Sequence, residues 1–172
     1  YNTIQQAKFV IEHSGCDFSD YLEEDKIYKK AVAHIISVTE RLGNLHIIDR
    51  DFLPNFIFGK DDIIIAAGQD GLVANTLKYL DNQPLIGVNP DPKRWDGILL
   101  PFNVHNIEQI VIEVLKQQRR YKEITLAQVI LNDGQMLYAV NDFFIGQKPH
   151  ASARYTINYN NSKEQQLSLI HI

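Results

Sequence analysis

The spacing of apolar positions changes character several times along the chain. Ile27, Ala31, Ile35, Val38 and Leu42 recur at helical spacing. Glu23, Glu24 and Asp25 precede most of them, where a helix dipole is positive, and Arg41 comes near the end, where it is negative, so a helix is predicted with Gly43 as its stop. Leu45 to Ile48 is an apolar run of strand length. Phe52 to Phe58 is another, but Pro54 interrupts it, so it reads as loop or irregular edge strand. Asp61-Asp62-Ile63-Ile64-Ile65-Ala66-Ala67 is β-branched without alternation, the pattern of a strand covered on both faces. It runs into Gly68-Gln69-Asp70-Gly71, after which Val73 to Leu80 supplies a helix and Pro84 to Val88 a second buried strand. Strand, tight turn, helix and strand within about thirty residues is the size of a βαβ unit, so the two strands are expected to be parallel.

Asn89-Pro90-Asp91-Pro92 is turn chemistry, with two prolines fixing φ and an aspartate able to bond nearby backbone. Ile107, Ile110, Val111, Val114 and Leu115 then fill i, i+3, i+4, i+7 and i+8 of another helix, closing with Lys116, Arg119 and Arg120. From Glu123 the period becomes two. Ile124 to Leu131, Gln135 to Val140, Phe143 to Gly146 and Arg154 to Tyr159 read as short strands, with Asn132-Asp133-Gly134 as a hairpin turn. The expected class is α/β: a Rossmann-like parallel-sheet domain over residues 1–121, then the start of an antiparallel β domain over residues 122–172.

Composition narrows the function. The chain has 172 residues, 45% of them apolar and 22% charged, which excludes a disordered chain. Seventeen Lys and Arg against twenty-one Asp and Glu give a formal net charge of -4, so neither a nucleic-acid backbone nor an anionic membrane is an expected partner. The single cysteine, Cys16, rules out an internal disulfide framework and points to a reducing, cytoplasmic setting. His13 lies three residues from it, but no second pair with ligand spacing accompanies them, so no metal site is assigned. No apolar run approaches the roughly 18 to 20 residues of a membrane span. A start without Met suggests a piece of a longer chain. The unfinished sheet edge makes a homo-oligomer the expectation for the full-length protein.

The informative feature is Gly68-Gln69-Asp70-Gly71 at the carboxyl end of a buried parallel strand, where open α/β sheets bind ligands. Glycine lets a phosphate oxygen approach the backbone, and the helix that follows adds partial positive charge, so a phosphorylated ligand is the natural occupant. A carboxylate beside a phosphate repels it, so Asp70 needs a reason to be there. It could take a proton from an attacking hydroxyl, orient that hydroxyl, or help hold magnesium. It could equally be the N-cap of the helix.

Ala67-Gly68-Gln69-Asp70-Gly71-Leu72 resembles the GGDGT motif of the NAD kinase family. Two further segments follow in the same order. Gly87-Val88-Asn89-Pro90-Asp91-Pro92 with Asp96-Gly97-Ile98-Leu99-Leu100-Pro101 is similar to the family's Gly-Ile/Val-Asn segment, especially in the branch with mitochondrial members. Asn141-Asp142-Phe143-Phe144 resembles the Asn-Glu motif that opens a strand of the family's second domain. The resemblance covers roughly residues 61 to 159. It implies phosphorylation of the 2′-hydroxyl of NAD by magnesium-bound ATP, giving NADP. Asp70 would then be the catalytic base, Gly68 and Gly71 would border phosphates, and Asn89, Asn141 and Asp142 would bind the dinucleotide.

The pattern departs from the family at Gln69 for its second glycine, Leu72 for its threonine, and Asp142 for its glutamate. The family's later glycine loop has no counterpart, so these residues alone are expected to be inactive. Two other readings stay open: a non-catalytic nucleotide-binding or regulatory module, and a lipid kinase of the diacylglycerol type, which shares the two-domain plan. Lys93 and Arg94 fall at the ligand edge of the sheet and read chiefly as solvated. Trp95 and Phe102 read as domain-interface packing ahead of a base-stacking platform, and His150 as part of a solvated loop.

Overall fold

A computed structural model of the chain describes residues 3–144 and 153–168. The chain divides into two compact units, Tyr1–Val140 and Asn141–Ile172.

The first unit opens with helix α1 (Ile4–His13), capped by the Thr3 hydroxyl accepting from the Gln6 amide at 3.2 Å. Helix α2 (Ser19–Thr39) begins earlier than hydrophobic spacing alone suggests. Asp17 accounts for this: its carboxylate accepts from the Ser19 amide at 2.8 Å and the Ser19 hydroxyl at 2.6 Å. The helix ends at Thr39, whose hydroxyl turns back onto the Ile35 carbonyl at 2.8 Å, four residues before Gly43. Residues 44–49 carry no regular structure, against the strand expected over Leu45 to Ile48. Ile47 is 67% exposed, and no described strand pairs with the segment. Residues Arg50–Asn55 form a 3-10 turn containing Pro54.

The βαβ unit forms as its pattern predicts. Strand β1 (Ile64–Ala67) is followed by helix α3 (Asp70–Leu77) and strand β2 (Leu85–Asn89), and β1 and β2 pair in parallel with Ile64 opposite Leu85 and Ala67 opposite Val88. A two-residue strand, β3 (Phe102–Asn103), adds in parallel to the other side of β2. Helix α4 (Ile107–Leu115) follows, with Ile107, Ile110, Val111 and Val114 buried as their spacing requires.

Alternation along β2 explains the layers. Ile86 and Val88 point to one face and join Ile35 and Val38 of α2 with the apolar stripe of α4. Leu85 points to the other face, with Ala66, Val73 and Leu100. The sheet is therefore covered on both sides, which is why β1 shows no polar alternation.

Strands β4 (Ala127–Ile130) and β5 (Met136–Ala139) pair antiparallel around Asn132-Asp133-Gly134, with Gly134 at φ +86°. In the second unit β6 (Ala153–Tyr159) pairs antiparallel with β7 (Ser162–Ser168). The strand expected over Phe143 to Gly146 is absent at residues 143 and 144, and residues 145 and 146 lie outside the described residues. The mixture of a helix-covered parallel sheet followed by antiparallel strand pairs is the α/β class expected from the sequence.

Candidate functional site

The site is built where β1 and β2 end. Gly68 follows β1, buried, with its amide on the Val88 carbonyl at 3.3 Å. Gln69 is the extended N-cap residue of α3 and makes no side-chain capping bond, so its helix presents first-turn amides that no side chain caps. Gly71 faces open space: a Cβ there would meet no atom within 4 Å.

Asp70 does not cap its own helix. It is the first helical residue, and its carboxylate reaches a separate segment: Oδ2 accepts from the Ile98 amide at 3.0 Å and Oδ1 from the Leu99 amide at 2.8 Å. Each oxygen keeps a further lone pair. The carboxylate is thus fixed in orientation by a loop that starts at the tip of the neighbouring strand.

That loop has its own internal ties. Asn89 is buried at 3% exposure; its Nδ2 donates to the Trp95 carbonyl at 2.8 Å, and its Oδ1 accepts from the Asp91 amide at 3.0 Å. Gly97 sits at φ +63°, and a Cβ there would stand 2.8 Å from that same Nδ2. Gly87, in the middle of β2, is obligatory for another reason. A Cβ would lie 2.2 Å from the Leu99 carbonyl oxygen, so only glycine lets this loop lie against the strand.

Arg94 is the loop's outer tie. Its Nη1 and Nη2 donate to the two oxygens of Asp20 on α2 at 2.6 and 2.7 Å, and its Nε lies 3.6 Å from Asp91 Oδ2. The hydrogen bond from Arg94 holds the Asp20 carboxyl below the usual carboxylate range, and the same bond to Asp20 raises the guanidinium above its ordinary value. Arg94 is therefore a structural fork joining helix to loop, and not the solvated cation its position suggested. Lys93 beside it is exposed.

A cavity of about 480 Å³ opens at this edge of the sheet, within the size range of small-molecule sites. Gly68, Gln69 and Gly71 form one part of its wall, Pro90, Asp91 and Trp95 another, and Tyr21, Glu24, Asp25 and Tyr28 of α2 a third. Trp95, 37% exposed, forms part of the wall of this cavity. The structure brings Gly68, Asp70, Gly71 and Asn89 to adjoining strand tips, with the two glycines on the cavity. Asn141 and Asp142 fall in the second unit, both exposed. His150 lies outside the described residues. The α2 wall escaped the sequence reading, although Tyr21, Glu24, Asp25 and Tyr28 stand at i, i+3, i+4 and i+7.

No family model matches the sequence, and no solved structure matches it. Curated relatives do. Over 98 residues, 55% of this chain, it is 34% identical to the human protein named NAD kinase 2, mitochondrial, of which the match covers 22%. The rat protein of the same name matches at 34% identity over 98 residues, 23% of its length. The protein named Probable NADH kinase of Oryza sativa subsp. japonica is 26% identical over 172 residues, covering 88% of this chain and 53% of that one. The chain thus spans between about a fifth and about a half of the length of these relatives. These partial similarities to proteins named as NAD and NADH kinases accord with the resemblance of the glycine and aspartate turn to the NAD kinase family, and support reading the chain as a divergent relative of it.

Proposed function

We propose that this chain carries the dinucleotide-binding part of a kinase that transfers the γ-phosphoryl group of magnesium-bound ATP to the 2′-hydroxyl of the adenosine ribose of NAD. The bond from ribose oxygen to phosphorus forms, the bond between γ-phosphorus and the bridging oxygen breaks, and NADP and ADP result. The single observation that carries this reading is Asp70. Its carboxylate stands at the tip of β1, oriented by two amides of another loop, next to glycines that line a cavity. In that position it can accept the hydroxyl proton on a free lone pair, while Gly68, Gly71 and the uncapped start of α3 receive phosphate oxygens.

Among the described residues no three His, Cys, Asp or Glu side chains gather to hold a metal ion. A magnesium ion carried on the ATP phosphates suits such a site, because magnesium usually keeps several waters and uses few protein ligands. When bound it neutralises charge on the transferred group. Asn141 and Asp142 are assigned to dinucleotide binding by the same reading. No helix among the described residues is long and apolar enough to cross a membrane. The mammalian relatives are named mitochondrial, so the cytoplasmic setting is a proposal that cell fractionation tests, as sedimentation tests the homo-oligomer.

A second reading, a nucleotide-binding module without turnover, is favoured by one observation: both oxygens of Asp70 already hold amides. The test separates the two. The full-length protein is assayed for NADP formation from NAD or NADH with ATP and magnesium, beside Asp70→Asn. We expect the substitution to abolish NADP formation while nucleotide binding persists. Unchanged turnover removes Asp70 from the chemistry, and no turnover in either form supports the binding module.

A further inference from the structure

One face of α2 changes chemistry along its length. Ala31, Ile35 and Val38 are buried against the core. One to three turns earlier the same face bears Tyr28, Asp25, Glu24 and Tyr21, and all four line the cavity at the strand tips. A helix face that continues a buried stripe should go on being aliphatic if it only packs, or become lysine and glutamate if it only meets water. Two tyrosines and two acids do neither. The Tyr28 hydroxyl donates to the Ala67 carbonyl at 3.4 Å, which sets the stripe against the end of β1. From Tyr28 out to Tyr21 is about 10 Å along the helix.

Charge around the cavity is uneven. Glu24, Asp25 and Asp91 border it, against Arg50. Asp25 is matched by Lys29 at 2.6 Å and Asp91 by Arg94 at 3.6 Å, whereas Glu24 has no lysine or arginine nitrogen within 4 Å among the described residues and feels Arg94 only through its longer-range charge. Negative charge repels phosphate and does nothing for a neutral base. A positively charged aromatic ring gains twice, from the faces of tyrosine and tryptophan and from the carboxylate. The oxidised dinucleotide carries such a ring, a pyridinium, and its reduced form is neutral there.

We propose that Tyr21, Glu24 and Tyr28 of α2, with Trp95 of the loop after β2, form a site for the pyridinium ring, so that the protein selects oxidised over reduced dinucleotide. The inference rests on the dinucleotide reading above and adds the redox form. The glycine turn takes the phosphates, the stripe takes the ring, and the ribose spans the distance between them.

Calorimetry tests it without turnover. The purified protein is titrated with NAD, NADH, oxidised and reduced nicotinamide mononucleotide, and AMP. Oxidised forms should bind about tenfold more tightly than reduced ones, the scale of a partly desolvated cation over aromatic faces. In the double variant Tyr21→Leu, Glu24→Gln the ratio should fall to about one to twofold while AMP binds as before. Tyr21 is 52% exposed, though its ring stacks on Phe18, and leucine keeps an apolar contact there; circular dichroism checks that the fold is retained. Equal affinity for both redox forms overturns this inference alone and leaves the kinase reading standing. Binding of none of the five ligands overturns both.

Discussion

Replacing Gly87 by alanine tests the central link between fold and site. The added Cβ would stand 2.2 Å from the Leu99 carbonyl oxygen and 3.3 Å from the Leu100 Cα. Neither atom is the end of a flexible side chain, so the loop itself must move outward by about 1 Å before the contact becomes tolerable. The Leu99 and Ile98 amides move with it, and their bonds to Asp70, now 2.8 and 3.0 Å, stretch to or beyond the limit of a hydrogen bond. Overpacking costs about 1 to 3 kcal/mol, and hydrogen bonds to a charged group contribute about 1.5 to 3 kcal/mol. Asp70 is half-buried, so water recovers part of the second cost, and about 3 kcal/mol in all is expected. For a chain of this size that lowers Tm by about 6 to 12 °C. Thermal unfolding followed by circular dichroism and by the fluorescence of Trp95, the chain's one tryptophan, measures it. Gly71→Ala is the matched control, because a Cβ there meets nothing within 4 Å, and it should leave Tm unchanged or slightly raised. A Gly87→Ala protein that melts within 2 °C of the parent would refute the argument that the loop is seated on this glycine.

Two further outcomes follow from the same loop. Gly97→Ala forces a side chain into φ +63° and against the Asn89 amide, so a loss of about 1 to 2 kcal/mol is expected in urea unfolding, and an unchanged midpoint counts against the turn as drawn. Arg94→Met removes the fork to Asp20. Because Arg94 holds that carboxyl below its ordinary 3.8, the contribution is fully present above that value and lost as pH falls through the lowered one. The difference in denaturation midpoint between parent and variant should therefore be constant at neutral and mildly acidic pH and narrow below about 3.8. A gap that does not narrow assigns the effect to packing of the arginine stem instead.

Where one physical cue dominated, the sequence was easy to read. The uninterrupted β-branched run at 63–65 meant burial on both sheet faces, and β1 is sandwiched between two apolar clusters. Asn132-Asp133-Gly134 demanded a positive φ, and Gly134 has it. Leu45 to Ile48 misled because apolar content is not pairing: no described strand offers it a partner. Ser162 to Ser168 was invisible as a strand, since Ser-Lys-Glu-Gln-Gln has no apolar alternation and its pairing depends on β6 beside it. At the site, the turn glycines and Asp70 were legible as a type, but the amides Asp70 would hold were not. They lie 28 and 29 residues away and are fixed by two glycines and a buried asparagine whose roles exist only in three dimensions. Arg94 shows the same limit, as its partner is 74 residues distant.

The Ile98 and Leu99 amides donate to Asp70, which gives that acid a structural task independent of the chemistry proposed for it. A protein with this fold and no phosphate chemistry at all would still be under selection to keep it, because losing it would unpin the segment that closes over the central strand. Surveying distant cousins for this one letter therefore sorts sound scaffolds from broken ones, and sorting working enzymes from retired ones requires the letters on either side of it.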